Sequence, residues 1–348
     1  MKDYLWTWIH VASVLGLFVT GVGIYLARYW MKDEPDAILP NELDFLDSIG
    51  YVVLYTAIRY LFDEMFRNEV YKRVKLNDPI NFELKKDKSL KEAFCSAWYL
   101  AMTIMGVYFF ANTDYLPTPC FGSGNCEDMP RKLFTRENHW TVRMYFMIQF
   151  AYHTHTLVYY ELANRKKKLP EYNEMMLHHI LAVGLIILCY TSGYFNYGIS
   201  FLMIADFTDF FLNLGKADRD LRLTQGWKIQ LFDLCFAGVV VSWTYLRAYV
   251  IPWCVLRSCY LALWKTWQGQ YNFWDHPTLQ KYASKLVAFY AVKAVLLSVL
   301  GIMNFYWVTI ILQMTYRRIF LKQKTPYANP AHGDKMESGE RDIKPKED

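Results

Sequence analysis

Residues Met175–Lys216 read MMLHHILAVGLIILCYTSGYFNYGISFLMIADFTDFFLNLGK. Two mostly apolar runs, Met175–Tyr194 and Tyr197–Leu214, meet at a Thr-Ser-Gly turn. About 20 such residues suffice for a helix to cross roughly 30 Å of hydrocarbon. Each run also carries groups that a membrane-spanning helix normally excludes. His178 and His179 open the first, and Asp206 and Asp209 sit within the second. Ionisable side chains at that depth are costly and by default face a cavity or a partner.

The same pattern extends outward over the chain. Apolar runs occur at Tyr4–Tyr29, Ile49–Phe66, Ala93–Ala111, Val142–Glu161, Leu231–Leu256 and Leu286–Met314. With the first two they predict an all-α integral membrane protein of about eight transmembrane helices. Ile49–Phe66 is interrupted by Arg59, Asp63 and Glu64, so an interfacial amphipathic helix is its alternative. No small-residue cleavage site follows Tyr4–Tyr29, which reads as a retained span rather than a signal peptide. Nor is the N-terminus an Arg- and Ser-rich presequence, although internal targeting to mitochondria stays open.

Charge placement sets the orientation. The net charge is +5, with basic residues gathered at Arg67–Lys91, Arg165–Lys168, Lys216–Lys228 and beyond Arg317. The loop at Lys32–Asp47 is acidic instead. Basic loops alternate with acidic or mixed ones, so the positive-inside rule places both termini in the cytosol or its equivalent. An even span count requires the same.

The predicted organisation is an extra N-terminal helix in residues 1–30, a pre-core helix with a basic cytosolic linker in 43–92, a membrane domain in 93–320 and a disordered polar tail in 321–348. There is no sign of a soluble catalytic domain. Internal repeats and matching broken helices are also missing, which argues against a transporter. Tryptophans at span ends, such as Trp30, Trp140 and Trp253, suit interfacial belts. Of seven cysteines, most lie in spans and read as small apolar residues. Cys120 and Cys126 fall in the turn-rich loop Thr113–Trp140 on the far side, where a short disulfide between them is expected in an oxidising lumen.

On one helix Asp206, Asp209, Asn213 and Lys216 recur at i, i+3, i+7 and i+10 and share a face. Gln149, His153 and His155 on the fourth predicted span are placed to join the same cavity. A neutral imidazole serves as base or nucleophile near pH 7, and a carboxylate on its second nitrogen fixes the tautomer. This set suits acyl transfer to an amine or hydroxyl at the membrane boundary. Two His and two Asp would also serve a metal, but adjacent histidines diverge by about 100° on a helix, so no metal is expected. A structural ion pair of the aspartates with Lys216 or Arg247 is the remaining alternative.

The spacing resembles the Lag1 motif of the ceramide synthases in the TLC family. His178-His179 is followed by 25 residues and then Ala205-Asp206-x-x-Asp209-x-x-Leu212-Asn213-x-x-Lys216. Glu171-Tyr172, Met175, Tyr190, Gly198, Arg247 and Pro252 fit around it, and the resemblance runs from about Leu43 to Phe320. It implies a six-helix barrel-like bundle with two further N-terminal helices, enclosing a hydrophobic channel for an acyl chain. The implied reaction joins a fatty acyl-CoA, as co-substrate and without a further cofactor, to the amine of a sphingoid base. His178 and His179 would then accept the acyl group and move the proton, with Asp206 and Asp209 as their catalytic carboxylate partners. Gln149, Tyr152, His153, Tyr190, Asn213, Lys216 and Arg247 become candidate substrate-binding residues, with Lys216 at the cytosolic end near the CoA phosphates.

The sequence departs from that motif where Ala205 replaces a His, Asn213 a Glu, Ala182 a Thr and Asn196 an Arg. These losses keep a second expectation alive: a catalytically inactive TLC-fold protein that binds lipid or serves as a structural subunit of a larger membrane complex. Partners are therefore membrane lipids, a long-chain base and acyl-CoA, with a homodimer or membrane complex possible, and no nucleic acid. The endoplasmic reticulum membrane is expected, with the mitochondrial inner membrane as alternative. The loop Ser258–His276 is expected to cap the far end of the channel, with Trp264, Trp267, Tyr271, Phe273 and Trp274 setting its depth.

Overall fold

The computed structural model describes residues 44–130, 139–164, 172–224, 230–270 and 277–321. The predicted span Tyr4–Tyr29, the basic loop at Arg165–Lys168 and the tail from residue 322 lie outside the described residues. The described chain is helical apart from its connections: α1 (Asp44–Asn77), α2 (Phe82–Phe110), α3 (Trp140–Asn164), α4 (Tyr172–Thr191), α5 (Phe195–Leu221), α6 (Leu231–Trp267) and α7 (Pro277–Ile319). Each apolar run after Tyr4–Tyr29 matches one of these helices, with Ala111 and Ser192–Tyr194 falling just past the ends of α2 and α4. By length and composition α1, α2, α5, α6 and α7 can cross a membrane, while α4 contributes a shorter apolar stretch, Met176–Thr191. Helix α3 has 25 residues but is more polar, since Arg143, Gln149, His153 and His155 lie along it.

The helices follow one another around a closed ring. Helix α1 packs on α2 and α3, α3 on α4, α4 on α7, α7 on α6, α6 on α5, and α5 returns to α2. The pre-core helix is thus a member of the ring, standing between α2 and α3. Its apolar window is only 11% buried, so most of its surface faces outward. The basic segment expected as a linker is helical from Phe82 onward.

Local chemistry explains the ends. Asp44 and Asp47 open α1 and Lys75 closes it, matching the helix dipole. Helix α4 stops at a left-handed Gly193, with Tyr194 N–H on the Cys189 carbonyl at 2.8 Å and Gly193 N–H on that of Tyr190 at 3.0 Å. This Schellman turn folds α5 directly back beside α4. At the other end, the Asp218 carboxylate accepts Phe232 N–H at 2.9 Å and the Thr224 hydroxyl accepts Leu231 N–H at 2.9 Å. The end of α5 therefore caps the start of α6. Glycines let the helices approach: a Cβ on Gly106 would come within 2.9 Å of Met203, and one on Gly238 within 2.6 Å of the Phe211 ring.

Two corrections concern the far end. The loop after α2 does not close on itself through Cys120. Cys126 bonds Cys254 of α6, and Cys120 is a buried free thiol. The loop curls through Asn112 and Phe121, both left-handed, which leaves Cys120 facing inward and Cys126 toward α6. The segment expected as a loop before α7 is helical in its first part, and Tyr271, Phe273 and Trp274 lie outside the described residues. Ser258–Trp267 continues α6, and Trp264 and Trp267 are exposed on its surface, not turned into the bundle.

Candidate functional site

Helices α3, α4, α5, α6 and α7 bring polar groups together in the ring interior. On α5, Asp206 is 2% exposed and is held from α3. Gln149 Nε2 donates to its Oδ2, and Tyr145 hydroxyl donates to the same oxygen at 3.3 Å. Gln149 and Tyr145 lie one turn apart on α3, which lets both reach one carboxylate. Asp209, one turn along α5, is bound instead by Arg247 of α6, whose Nη2 reaches its Oδ1 at 2.7 Å.

Arg247 is the most heavily engaged group in the site. It also donates to Thr208 Oγ1 at 2.7 Å, to the Ala205 carbonyl at 3.2 Å and to Asn304 Oδ1 of α7 at 3.4 Å. Its guanidinium lies over the Trp243 ring, 3.8 Å from the centroid. Each of these contacts uses one edge of the planar five-donor fork. The backbone makes this reach possible: Trp243–Leu256 is wound as a wide π-helix containing Pro252. Such turns bulge the chain and re-aim a side chain, often at functional sites.

The histidines face this arrangement from α4 and α3. His178 meets Trp307 of α7 edge-on, with ring centroids 5.4 Å apart, and lies within electrostatic range of Arg247. His179 is buried, 6.0 Å from the ring of His153. Among the described residues, neither His178 Nδ1, His153 Nδ1 nor Gln149 Oε1 finds a hydrogen-bond partner. Buried polar atoms without partners are uncommon and call for an explanation. Three of them on the packed helices α3 and α4 suit a polar ligand.

The structure thus gathers His178, His179, Asp206, Asp209, Gln149, His153 and Arg247. It corrects the expected pairing, since the carboxylates are held by Gln149, Tyr145 and Arg247 rather than by the histidines. Tyr152 borders the site within an aromatic cluster, hydrogen-bonded to Tyr99 at 2.6 Å and stacked on Trp98. Asn213 donates to its own helix, at the Asp209 carbonyl 2.8 Å away. Lys216 lies near the buried Glu92 of α2, toward the C-terminal end of α5. Tyr190 is not in the site: it donates to Asp44 Oδ2 at 2.5 Å, beside Arg143. It stands 12 residues beyond His178 on α4, about 18 Å at the helical rise.

Sequence reasoning passed over Tyr145, Thr208 and Asn304. Tyr145 lies one turn before Gln149 and shares its face, a periodicity that would have found it. Asn304 is a lone amide in an apolar run, the usual signal of an inward polar group.

Comparison with known proteins agrees with this architecture. The TLC domain family model (TRAM, LAG1 and CLN8) matches residues 89–313. The chain is 24% identical over 292 residues to the ASC1-like protein 1 of Oryza sativa subsp. japonica, covering 80% of this chain and 86% of that protein. It is 23% identical over 289 residues to the ceramide synthase LOH1 of Arabidopsis thaliana, covering 78% and 84%. The sphingosine N-acyltransferase lag1 of Schizosaccharomyces pombe is 24% identical over 224 residues, 63% of this chain and 49% of that protein.

Proposed function

We propose, for a chain that belongs to the TLC domain family, the N-acylation of a long-chain base by a fatty acyl-CoA within the membrane. The observation that carries this reading is the buried, unbonded Nδ1 of His178 within electrostatic range of Arg247, which in turn holds Asp209. The substrates follow the printed names of the relatives, ceramide synthase and sphingosine N-acyltransferase.

In the reaction, the amine nitrogen forms a bond to the acyl carbonyl carbon and the carbon–sulfur bond of the thioester breaks. One histidine takes the amine proton as general base, directly or after receiving the acyl group as nucleophile. In the direct route that proton passes to the departing CoA thiolate. In the acyl-histidine route the thiolate leaves first, with the proton that the attacking imidazole loses. The amine then displaces the acylated imidazole, which takes the amine proton. Asp206, fixed by Gln149 and Tyr145, supplies a negative field that favours the imidazolium formed in the transition state. Arg247 orients Asp209 and keeps it from competing for the same proton. Lys216, at the cytosolic end of α5, is placed for the CoA phosphates. The disulfide on the opposite end suits an oxidising lumen, and supports an endoplasmic reticulum membrane.

A second reading is a TLC-fold subunit without acyl transfer. It is favoured by one feature: Ala205 stands where the motif has a His, and Arg247 bonds its carbonyl. The test is acyl transfer by the purified protein with labelled sphinganine and acyl-CoAs of several lengths, beside a His178→Ala, His179→Ala variant. Ceramide formed by the wild type and lost in the variant supports the enzyme. No product at any length from folded protein supports the subunit.

A further inference from the structure

Lys293 of α7 is buried, at 1% exposure, and lies outside the site described above. Its ammonium sits over the ring of Tyr194 at 2.8 Å from the centroid and over that of Tyr197 at 3.5 Å. Both tyrosines are buried at the α4–α5 turn. Aromatic faces attract the cation but accept none of its three N–H donors in hydrogen-bond geometry. Lys293 Nζ has no hydrogen-bond partner among the described residues. Lysines in membrane helices usually extend to the interface and keep the charge wet; this one does not. A cation so placed calls for an acceptor that the described chain does not supply.

Its depth identifies the acceptor. Lys293 lies in electrostatic range of Cys189, 10 residues along α4 from His179, about 15 Å away at the helical rise. Along α7 it is 14 residues from Trp307, which meets His178, about 21 Å by the same rise. An extended alkyl chain advances about 1.3 Å per carbon–carbon bond of 1.52 Å. A chain attached at the histidines therefore ends at Lys293 after about 12 to 17 carbons. Between the two levels the interior is apolar, formed by Leu181, Leu185, Leu202, Val250, Leu297 and Leu300 of one continuous core.

We propose that Lys293, held on Tyr194 and Tyr197, is the distal end of the acyl site and binds an oxygen, hydroxyl or carboxylate, at the far end of a long acyl chain. The chain lies against the leucines and the terminal oxygen accepts from the ammonium. The proposal rests on the acyl-chain reading for its class of ligand, but its test does not require turnover.

Binding of hexadecanedioic acid, 16-hydroxyhexadecanoic acid and hexadecanoic acid to the full chain is measured by ligand-dependent thermal shift, in the wild type and in Lys293→Met. The two oxygenated acids are expected to bind wild type at least about tenfold more tightly than the plain acid, as a charge-assisted hydrogen bond allows. Lys293→Met is expected to erase that preference while it binds the plain acid as well as before. If the variant does not fold, a series of diacids on the wild type decides, with a preference peaking between about 12 and 17 carbons expected. Equal binding of plain and oxygenated acids by the wild type would overturn the proposal, as would a preference that survives Lys293→Met or a diacid series without a peak. A lysine-dependent preference in a protein that transfers no acyl group would uphold this site and sink the enzyme reading instead.

Discussion

Replacing Arg247 with methionine tests whether the carboxylate on α5 is held as the structure shows. The side chain is 4% exposed and makes two bonds of 2.7 Å, to Thr208 and to Asp209. Removing one member of a buried ion pair costs about 3–5 kcal/mol, because the other charge is left uncompensated. Asp209 keeps 18% side-chain exposure, and this relief puts the expected loss near the lower bound, about 3 kcal/mol. Asp209→Asn in the Arg247→Met background should restore part of it, giving a coupling of about 2 kcal/mol in the double-mutant cycle. Equilibrium unfolding in mixed micelles, followed by tryptophan fluorescence, measures all four corners. A coupling below about 0.5 kcal/mol would refute the reasoning. The partner of Asp209 would then be sought among the histidines.

Gly198→Ala should destabilise by about 1–3 kcal/mol through overpacking, because its Cβ would press on the Phe146 ring and come within 3.1 Å of Cys189 Cβ. Gly50→Ala, with open space around it on α1, should stabilise by about 0.5–1 kcal/mol; the same unfolding assay reads both. Thiol titration of the denatured, unreduced chain should count five free cysteines. In Cys254→Ser it should count six, the five plus Cys126, whereas a Cys120–Cys126 bond would make that variant lose a thiol. Asp78, between α1 and α2, is partly desolvated, which disfavours its charge, but Lys85 at 2.9 Å and Asn81 outweigh this and hold its carboxyl below the ordinary value. Its contribution is therefore full above the unfolded carboxylate pKa of about 3.9 and lost as pH falls through the lower folded value. Asp78→Asn should flatten the stability curve below about pH 4.

The helices and the shared face of Asp206 and Asp209 were legible because hydropathy and the helical period are local properties of a sequence. Depth and azimuth are not local. Tyr190 carries the same face as the histidines by period, yet it lies three turns lower and pairs with Asp44. The partner of Cys126 was hidden because Cys254 sits in an apolar run, where a cysteine reads as packing. The wide winding of Trp243–Leu256, which aims Arg247 at Asp209, leaves only Pro252 as a trace. Lys293 was visible as a charge inside an apolar run, but only the fold shows that it is buried on Tyr194 and Tyr197.

The bond between Cys126 and Cys254, 128 positions apart in sequence, turns part of the chain into a covalent ring. The histidines, the aspartates and Arg247 lie on that ring, whereas Asn304 and Trp307 of α7 lie beyond it. A protease that cuts once between α3 and α6 would leave a single molecule until reductant is added. The ring also orders assembly in time. Cys254 is reached only when α3, α4 and α5 have already been synthesised, so the crosslink closes around helices that precede it. Its formation would mark a chain in which α3, α4 and α5 are present and α6 has reached Cys254, a covalent signature that can be read on a gel.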